Sequence, residues 1–397
     1  MVKIRENVPL AQYTYYKIGG KARYFCEIST QINTDTQADQ HRYYQDVIDA
    51  LNWAEEKGLP VFVLGGGANV LISDNGFDGL VIKIQDSGIP ACALAYAKAS
   101  ASKKASAGKK IQDSEYMTVS TGVKLSDVVN FSLKHGLAGL EWAAGIPGSV
   151  GGAIRGNAGA FDHSMSEVIE SVTVLIWKER RKAALLSLKN TDINADSRQK
   201  IGVVPRIVQR KFSAKDMCFG YRTSIIKEQG GIILEATLKL KRITNEDLTC
   251  LPARQGFKNQ EEAKNHIKYR KEHHPLEYPS CGSVFKNVFL KALKNADINA
   301  EQRQNRDIGR IREIRRMIKT EGDIIPAGLL IAKAGLSGKK IGDAQISEKH
   351  SNFIINLGNA KAVDVYTLIK LCEKEVYRKF GVKLEREVEL VGFADQR

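Results

Sequence analysis

The sequence predicts a mixed α and β protein of two or three domains, on three observations. Its 397 residues exceed the ~100–200 of a usual single domain. Short β-rich runs alternate with stretches whose apolar residues recur at helical spacing. The composition, 43% hydrophobic with 26% charged residues, is that of an ordinary globular chain able to bury a core, not of a fibrous or disordered one.

The elements follow in order. In DVIDALNWAEEK at 46–57 the apolar positions line one face of a helix, and Gly58 supplies the stop. LPVFVLGG and GLVIKI read as strands on either side of a Gly-rich turn. LSDVVNFSLKH at 125–135 reads as a helix closed by Gly136, and GGIILEATLKL as a strand. AVDVYTLIKLCEKEVYRK at 362–379 is the clearest amphipathic helix, stopped by Gly381.

Several function classes are excluded. No apolar run reaches the ~18 residues of a membrane span, and the start, MVKIRENVPLAQY, lacks the apolar core of a signal peptide. A cytoplasmic protein without a membrane partner is expected. The six cysteines lie far apart with no CxxC pair, so neither a disulfide framework nor a bound metal is expected.

The net charge of +15 raises the question of a polyanion partner. Much of the excess sits in two segments. Residues 93–112 are a low-complexity Ala/Ser/Lys stretch with five lysines and no acid, expected as a solvated loop or frayed helix. Residues 301–319 carry seven basic side chains and three acids around Ile308, Ile311, Ile314 and Ile318, the pattern of a packed helix with a charged outer face. No aromatic residues interleave with its arginines to stack bases, so nucleic acid is not the expected partner. The near copies TDINADSRQ at 191–199 and ADINAEQRQ at 296–304 read as related insertions, and they are too few for a solenoid.

Two glycine clusters stand out. Gly65, Gly66, Gly67, Ala68 and Asn69 directly follow the strand-like Val61-Phe62-Val63-Leu64. Such a loop is either a tight strand connection or a nest of N–H groups for a diphosphate. Its spacing is not GxGxxG and no long helix follows, which disfavours a Rossmann site. The second cluster spans 145–159, where six of fifteen residues are glycine. It comprises Gly145, Ile146, Pro147, Gly148, Ser149, Gly151, Gly152, Ala153, Asn157 and Gly159 among apolar neighbours. A backbone surface of this kind can press against a large cofactor and donate several N–H bonds to it.

Three further segments hold polar residues in apolar settings. Tyr221 and Arg222 place a guanidinium beside an aromatic ring ahead of a strand. Ser283 sits on a Gly-Ser turn entering a β-rich run, and residues 384–391 alternate charged and apolar side chains as an edge strand does. Taken singly, an ion-paired Arg, a turn Ser and a solvated strand face explain them.

Taken together and in order, these segments resemble the UDP-N-acetylenolpyruvoylglucosamine reductases. The stretches are NVPLAQYTYYKIGGKARYF at 7–25, VLGGGANVLISDNGFDGLVI at 63–82, GLEWAAGIPGSVGGAIRGNAGAF at 139–161, FGYRTSIIK at 219–227, HPLEYPSCGSVFKN at 274–287, AGLLIAKAGLSGKKIGDAQISEKHSNFIIN at 327–356 and KLEREVELVG at 383–392. The PLEYPSCGSVFK form resembles the branch that lacks an extra tyrosine loop over the substrate. The resemblance implies an α+β flavoprotein: an FAD-binding fold of the vanillyl-alcohol-oxidase-like type made of two α+β subdomains, plus a smaller α+β substrate-binding domain. The first subdomain is expected at 1–84. The second is expected at 85–270, with insertions near 93–112 and 178–214 and with the C-terminal strand in 383–397 returning to it. The substrate domain is expected at 271–382, with an insertion near 288–323.

The resemblance implies FAD as cofactor, NADPH as reductant and UDP-N-acetylglucosamine enolpyruvate as the small-molecule substrate, reduced to UDP-N-acetylmuramate for peptidoglycan. Hydride from flavin N5 reaches C3 of the enolpyruvyl group, and the negative charge that develops toward the carboxylate must be stabilised and then quenched by a proton at C2. By motif match Ser283 is the proton donor, Arg222 holds the carboxylate and Glu387 stabilises the intermediate or relays the proton. An ionised Glu387 would repel an enolate, so it is expected protonated or paired with Arg222. Tyr221, Lys271 and Asn287 are the implied substrate contacts, while His273 and His274 are expected at the surface. Two departures are noted: Ala68 stands where serine is common, and Val288 leads into extra residues where proline is frequent. The competing readings are an FAD-linked oxidase of a sugar or hydroxy acid on the same fold, and a catalytically inactive basic binding protein.

Overall fold

A computed structural model gives the fold, and the structure describes residues 2–29, 37–85, 95–97, 114–177, 207–243, 255–289 and 324–393. The repeated segments at 191–199 and 296–304 and the basic stretch 301–319 lie outside the described residues. The chain forms two compact units, one of residues 1–2, 27–53 and 83–264, the other of residues 3–26, 54–82 and 265–397. Among the described residues no helix is long and apolar enough to cross a membrane.

The first unit is built on an antiparallel sheet. Strand Ile169–Trp177 lies between Ile207–Ser213 and Ile232–Arg242, and the latter pairs on with Ser114–Ser120, which pairs in turn with Ala95–Ala97. One sheet face carries Val172, Val174, Ala236 and Leu238 into a core shared with Val128 and Val129 of helix Leu125–Lys134, Ile154 of the short helix Val150–Arg155, and Ile225 and Ile226 of helix Ile225–Gln229. Two expectations are corrected here. Residues 207–213, assigned to an insertion, form a sheet strand in register with 169–177, Trp177 facing Ile207. Ala95–Ala97, placed in a solvated loop or frayed helix, forms a short strand.

A four-stranded sheet in the order Ile4–Pro9, Lys21–Ser29, Phe77–Gln85, Val61–Leu64 lies in the second unit except for residues 27–29 and 83–85. The unit's larger core gathers Leu71, Val284, Phe285, Leu330, Ile331, Val365, Leu368, Ile369 and Leu390. Helix Ala362–Phe380 buries Val365, Leu368, Ile369, Cys372, Val376 and Phe380, an apolar stripe at helical spacing. Its first N–H groups are capped by a side chain distant in sequence: Asp74 Oδ1 accepts from Ala362 N–H at 2.8 Å and Oδ2 from Val363 N–H at 2.9 Å.

The final strand, Glu389–Val391, runs parallel to Val70–Ile72. It was expected to return to the second subdomain and instead pairs with the segment that follows the 65–69 loop. Both sequences are short and apolar at this point, and burial of Val70, Leu71, Leu390 and Val391 holds them together.

Removing the Asp74 carboxylate should loosen the helix start. Asp74→Ala is expected to cost about 1–2 kcal/mol in urea unfolding, and Asp74→Asn, which keeps one acceptor oxygen, less than that. Equal stability of all three proteins would mean that the cap contributes nothing.

Candidate active site

Ser283 and Glu387 are brought together by the backbone of one residue between them in space, Val284. Val284 N–H donates to Asn352 O at 2.8 Å, while Val284 O accepts from Glu387 N–H at 2.8 Å and from Val388 N–H at 3.2 Å. Phe285 and Arg386 form an antiparallel bridge, and Lys286 N–H donates to Glu385 O at 2.8 Å. The alternating run 384–391 is therefore a strand only at its end. Leu384, Val388 and Leu390 enter the core, but the backbone at 385–388 is used to hold the serine turn. The β-rich run expected after Ser283 is likewise only Val288–Phe289.

Ser283 follows Gly282, which has φ +80° with no atom near the place a Cβ would take. The left-handed backbone, not lack of space, is what calls for glycine here. Beneath the turn Cys281 is buried, and burial pushes its thiol up to about 12, with the nearby Glu387 carboxylate adding to the rise. Tyr16 partners Cys281 and donates its hydroxyl proton to Ile354 O at 2.7 Å. Burial holds the phenol well above its ordinary range.

The 65–69 loop belongs to the same unit. Gly67 has φ +70°, and a Cβ there would stand 2.2 Å from Tyr13 O, so the loop is seated against the 13–15 turn, with Tyr15 N–H donating to Gly67 O at 3.0 Å. Gly65, Gly66 and Ala68 are half-buried. Asn69 ties the loop to the 387–389 segment: its Nδ2 donates to Glu387 O at 3.1 Å and its carbonyl accepts from Glu389 N–H at 3.1 Å.

The glycine stretch 145–159 and Arg222 share the other unit. Many of the amides in this stretch are used within the fold. Ile146 N–H goes to Ala143 O, Val150 to Val123 O, Gly151 to Thr121 O, Gly152 to Ser149 Oγ, Ala153 to Ser149 O and Asn157 to Ile154 O. The glycines let the chain pack backbone on backbone. Outward lie the apolar turn at its start, with Gly145 and Pro147 exposed and Ile146 and Gly148 half-buried, and Gly152, which is also exposed.

Asn157 braces this stretch. Its Nδ2 donates to Gly220 O at 2.9 Å and its Oδ1 accepts from Ser166 N–H at 3.0 Å, so both ends of the amide serve the fold. The 219–224 turn thus docks on the glycine stretch, and Ser224 Oγ adds a bond to Arg155 O at 2.7 Å while capping helix Ile225–Gln229. Arg222 sits in this turn at φ +58°, a backbone costing about 1–3 kcal/mol for a residue with a Cβ. Its Nη2 donates to Gly159 O at 2.8 Å, and its guanidinium lies 5.2 Å from the centroid of the exposed Tyr221 ring.

The remaining expected contacts are in the second unit. Lys271 is exposed at the end of helix Gln255–His273, its carbonyl accepting from Lys349 Nζ at 2.8 Å. Asn287 Oδ1 accepts from Ala327 N–H at 3.2 Å at the start of helix Ala327–Lys333, and Lys286 pairs with Glu385. His273 is exposed as expected, but His274 is half-buried. It packs edge-on to His350 at 5.4 Å and against Phe353 at 5.0 Å. No local sequence pattern marks that cluster, or the Tyr16–Cys281 pair.

Comparison with known proteins gives concordant likenesses. A profile for the C-terminal domain of UDP-N-acetylenolpyruvoylglucosamine reductase matches residues 274–391, and a profile for an FAD binding domain matches residues 41–180. The UDP-N-acetylenolpyruvoylglucosamine reductase of Lactobacillus helveticus is 31% identical over 395 residues, covering 98% of this chain and 96% of its own. That of Clostridium novyi is 32% identical over 390 residues, covering 98% and 92%. The crystal structure of the reductase from Thermus caldophilus aligns with a TM-score of 0.58 at 24% identity, over 98% of this chain and 99% of its own, which is a likeness of fold.

The imidazole cluster has a consequence for stability. Burial, with the positive fields of His350, Arg270, His273 and Lys349, lowers His274 from 6.5 to about 4. Above 6.5 the ring is neutral in both states. Below it the unfolded chain takes the proton first, so stability is lost from 6.5 down to about 4. The full shift corresponds to about 3 kcal/mol, which the ring's partial exposure reduces to about 1–2. His274→Phe should lessen the fall in urea midpoint across that window, and an undiminished fall would place its cause elsewhere.

Proposed function

Since the chain belongs to the UDP-N-acetylenolpyruvoylglucosamine reductase family, we propose that it is an FAD-containing, NADPH-dependent oxidoreductase that reduces UDP-N-acetylglucosamine enolpyruvate to UDP-N-acetylmuramate for peptidoglycan, in the cytoplasm. The observation that carries the reading is the backbone junction at Val284, which joins Ser283 to Glu387. These are a hydroxyl donor and a carboxyl group, groups suited to protonating a basic carbon.

The residues present fit an FAD. The 65–69 loop carries no side chain larger than a methyl before Asn69 and is pinned from behind by Tyr13 and Tyr15, which leaves its half-buried backbone as the surface for a diphosphate. The exposed turn at 145–148 offers an apolar face, followed by Ser149, Gly151, Gly152, Ala153, Asn157 and Gly159 as its scaffold. Bound FAD, reduced by NADPH, supplies the hydride that reaches C3 of the enolpyruvyl group.

The chain's own residues handle charge and proton. Arg222 binds the substrate carboxylate, where charge accumulates as C3 gains hydrogen, and its planar fork suits that task better than a lysine ammonium. The bond from Nη2 to Gly159 O holds the fork in place, so less order is lost on binding. Ser283 Oγ gives its proton to C2. A serine is a weak acid, but the carbon it serves is a strong base at that moment. Glu387 in its acid form returns a proton to Ser283. Tyr221, Lys271 and Asn287 contact the sugar nucleotide, Asn287 through the part of its amide not spent on Ala327.

The two half-reactions separate these roles. Ser283→Ala should leave reduction of the flavin by NADPH intact in stopped flow, and should slow its reoxidation by the enolpyruvyl substrate about 100-fold or more. Equal loss in both halves contradicts the assignment. Arg222→Lys should weaken reoxidation while the yellow cofactor is retained on gel filtration; loss of the flavin would make the arginine a cofactor ligand instead.

A further inference from the structure

One buried amide is left unused by this mechanism. Asn352 is 3% exposed and lies in the KHSNFIIN segment, far in sequence from the serine turn. Its Oδ1 accepts from Phe285 N–H at 3.0 Å and its Nδ2 donates to Phe285 O at 2.8 Å. Its main-chain carbonyl accepts from Val284 N–H at 2.8 Å. A single residue thereby satisfies three of the four main-chain polar groups of the two residues that follow Ser283. A strand could offer the same pattern only by continuing the ladder past the turn. Here a side chain takes the place of a strand partner, and the 282–287 backbone is free to leave the sheet and present its serine.

Asn352 is itself held. Its N–H points to His350 Nδ1 at 3.3 Å, a bond that requires an unprotonated nitrogen there. His350 is packed against Phe353 at 4.9 Å and His274 at 5.4 Å. Burial lowers both imidazoles below their ordinary range, so the acceptor is in place at neutral pH.

We propose that Asn352 is a positioning residue for proton delivery: its amide clamps Phe285 so that Ser283 and Glu387, joined through Val284, keep the separation the transfer requires. Asn352 touches neither substrate nor cofactor in this account. It acts by fixing a backbone whose displacement by about 1 Å can cost up to ~100-fold in rate. The inference rests on Ser283 as proton donor.

The test uses the full-length flavoprotein. Asn352→Asp keeps the acceptor to Phe285 N–H and replaces the donor to Phe285 O by a carboxylate oxygen; Asn352→Ala removes both. Either is expected to slow reoxidation of the reduced flavin at saturating enolpyruvyl substrate by about tenfold or more. Reduction by NADPH and the calorimetric dissociation constant of the substrate for the oxidised enzyme should change less than about twofold. Amide hydrogen exchange across 281–287 should accelerate in the same variants. Parallel losses in both half-reactions, or weakened substrate binding that accounts for the whole defect, would overturn the proposal in favour of a purely structural role. Ser283→Ala is run alongside. If it reoxidises normally, the serine assignment itself fails; if it is impaired while both Asn352 variants reoxidise at the wild-type rate, only the Asn352 inference falls.

Discussion

The junction between the Ser283 turn and the Glu387 segment depends on the peptide group of Val284. The Val284 N–H and C=O point to two different segments, Asn352 on one side and Glu387 with Val388 on the other. A buried peptide left unpaired would cost about 1–3 kcal/mol, so these segments are held at one register by the same accounting that holds a sheet. The difference is that the structure spends these bonds on a turn. The apolar neighbours Val284, Phe285, Leu384 and Val388 drop into the core and fix the depth of the segments that carry Ser283 and Glu387. Asn69 extends the junction by pairing with both Glu387 and Glu389, so the loop that fits a diphosphate and the carboxyl group share one set of hydrogen bonds.

The other unit uses a different device. Its glycines bring main chain against main chain, and the amides there are mostly consumed internally. The resulting surface is stiff, and Asn157 and Ser224 fasten the Arg222 turn to it. A cation on a strained turn braced at several points loses little freedom on binding an anion, which is what a site for developing charge requires. Trp177 faces Ile207 across its antiparallel pair, and Val288–Phe289 pairs with Ile324–Ile325.

Much of this was legible in the sequence wherever the signal was local. Helices Leu125–Lys134 and Ala362–Phe380 were found close to their ends because an apolar stripe and a closing glycine mark them. The five-residue helix Ile225–Gln229 is too short to show a period. The run 384–391 was misread as a strand because alternation of burial records which side chains are inside, not what the backbone pairs with. Ser283, Arg222 and Glu387 were reached through motifs, and their residue types made chemical sense. Asn352 carried no signal: an asparagine that pairs with a peptide group 67 residues away looks the same in sequence as one in a solvated turn. His274 was expected at the surface because the packing of His350 and Phe353 around it is equally non-local.

The account stands on Ser283 and Glu387 acting as one unit. The most direct measurement is the reoxidation rate of the reduced flavin by the enolpyruvyl substrate in Ser283→Ala, Glu387→Ala and the double variant. A shared proton path predicts that the double variant is no slower than the slower single one, because either substitution already breaks the path. Multiplying defects would show two independent contributions and would contradict the account.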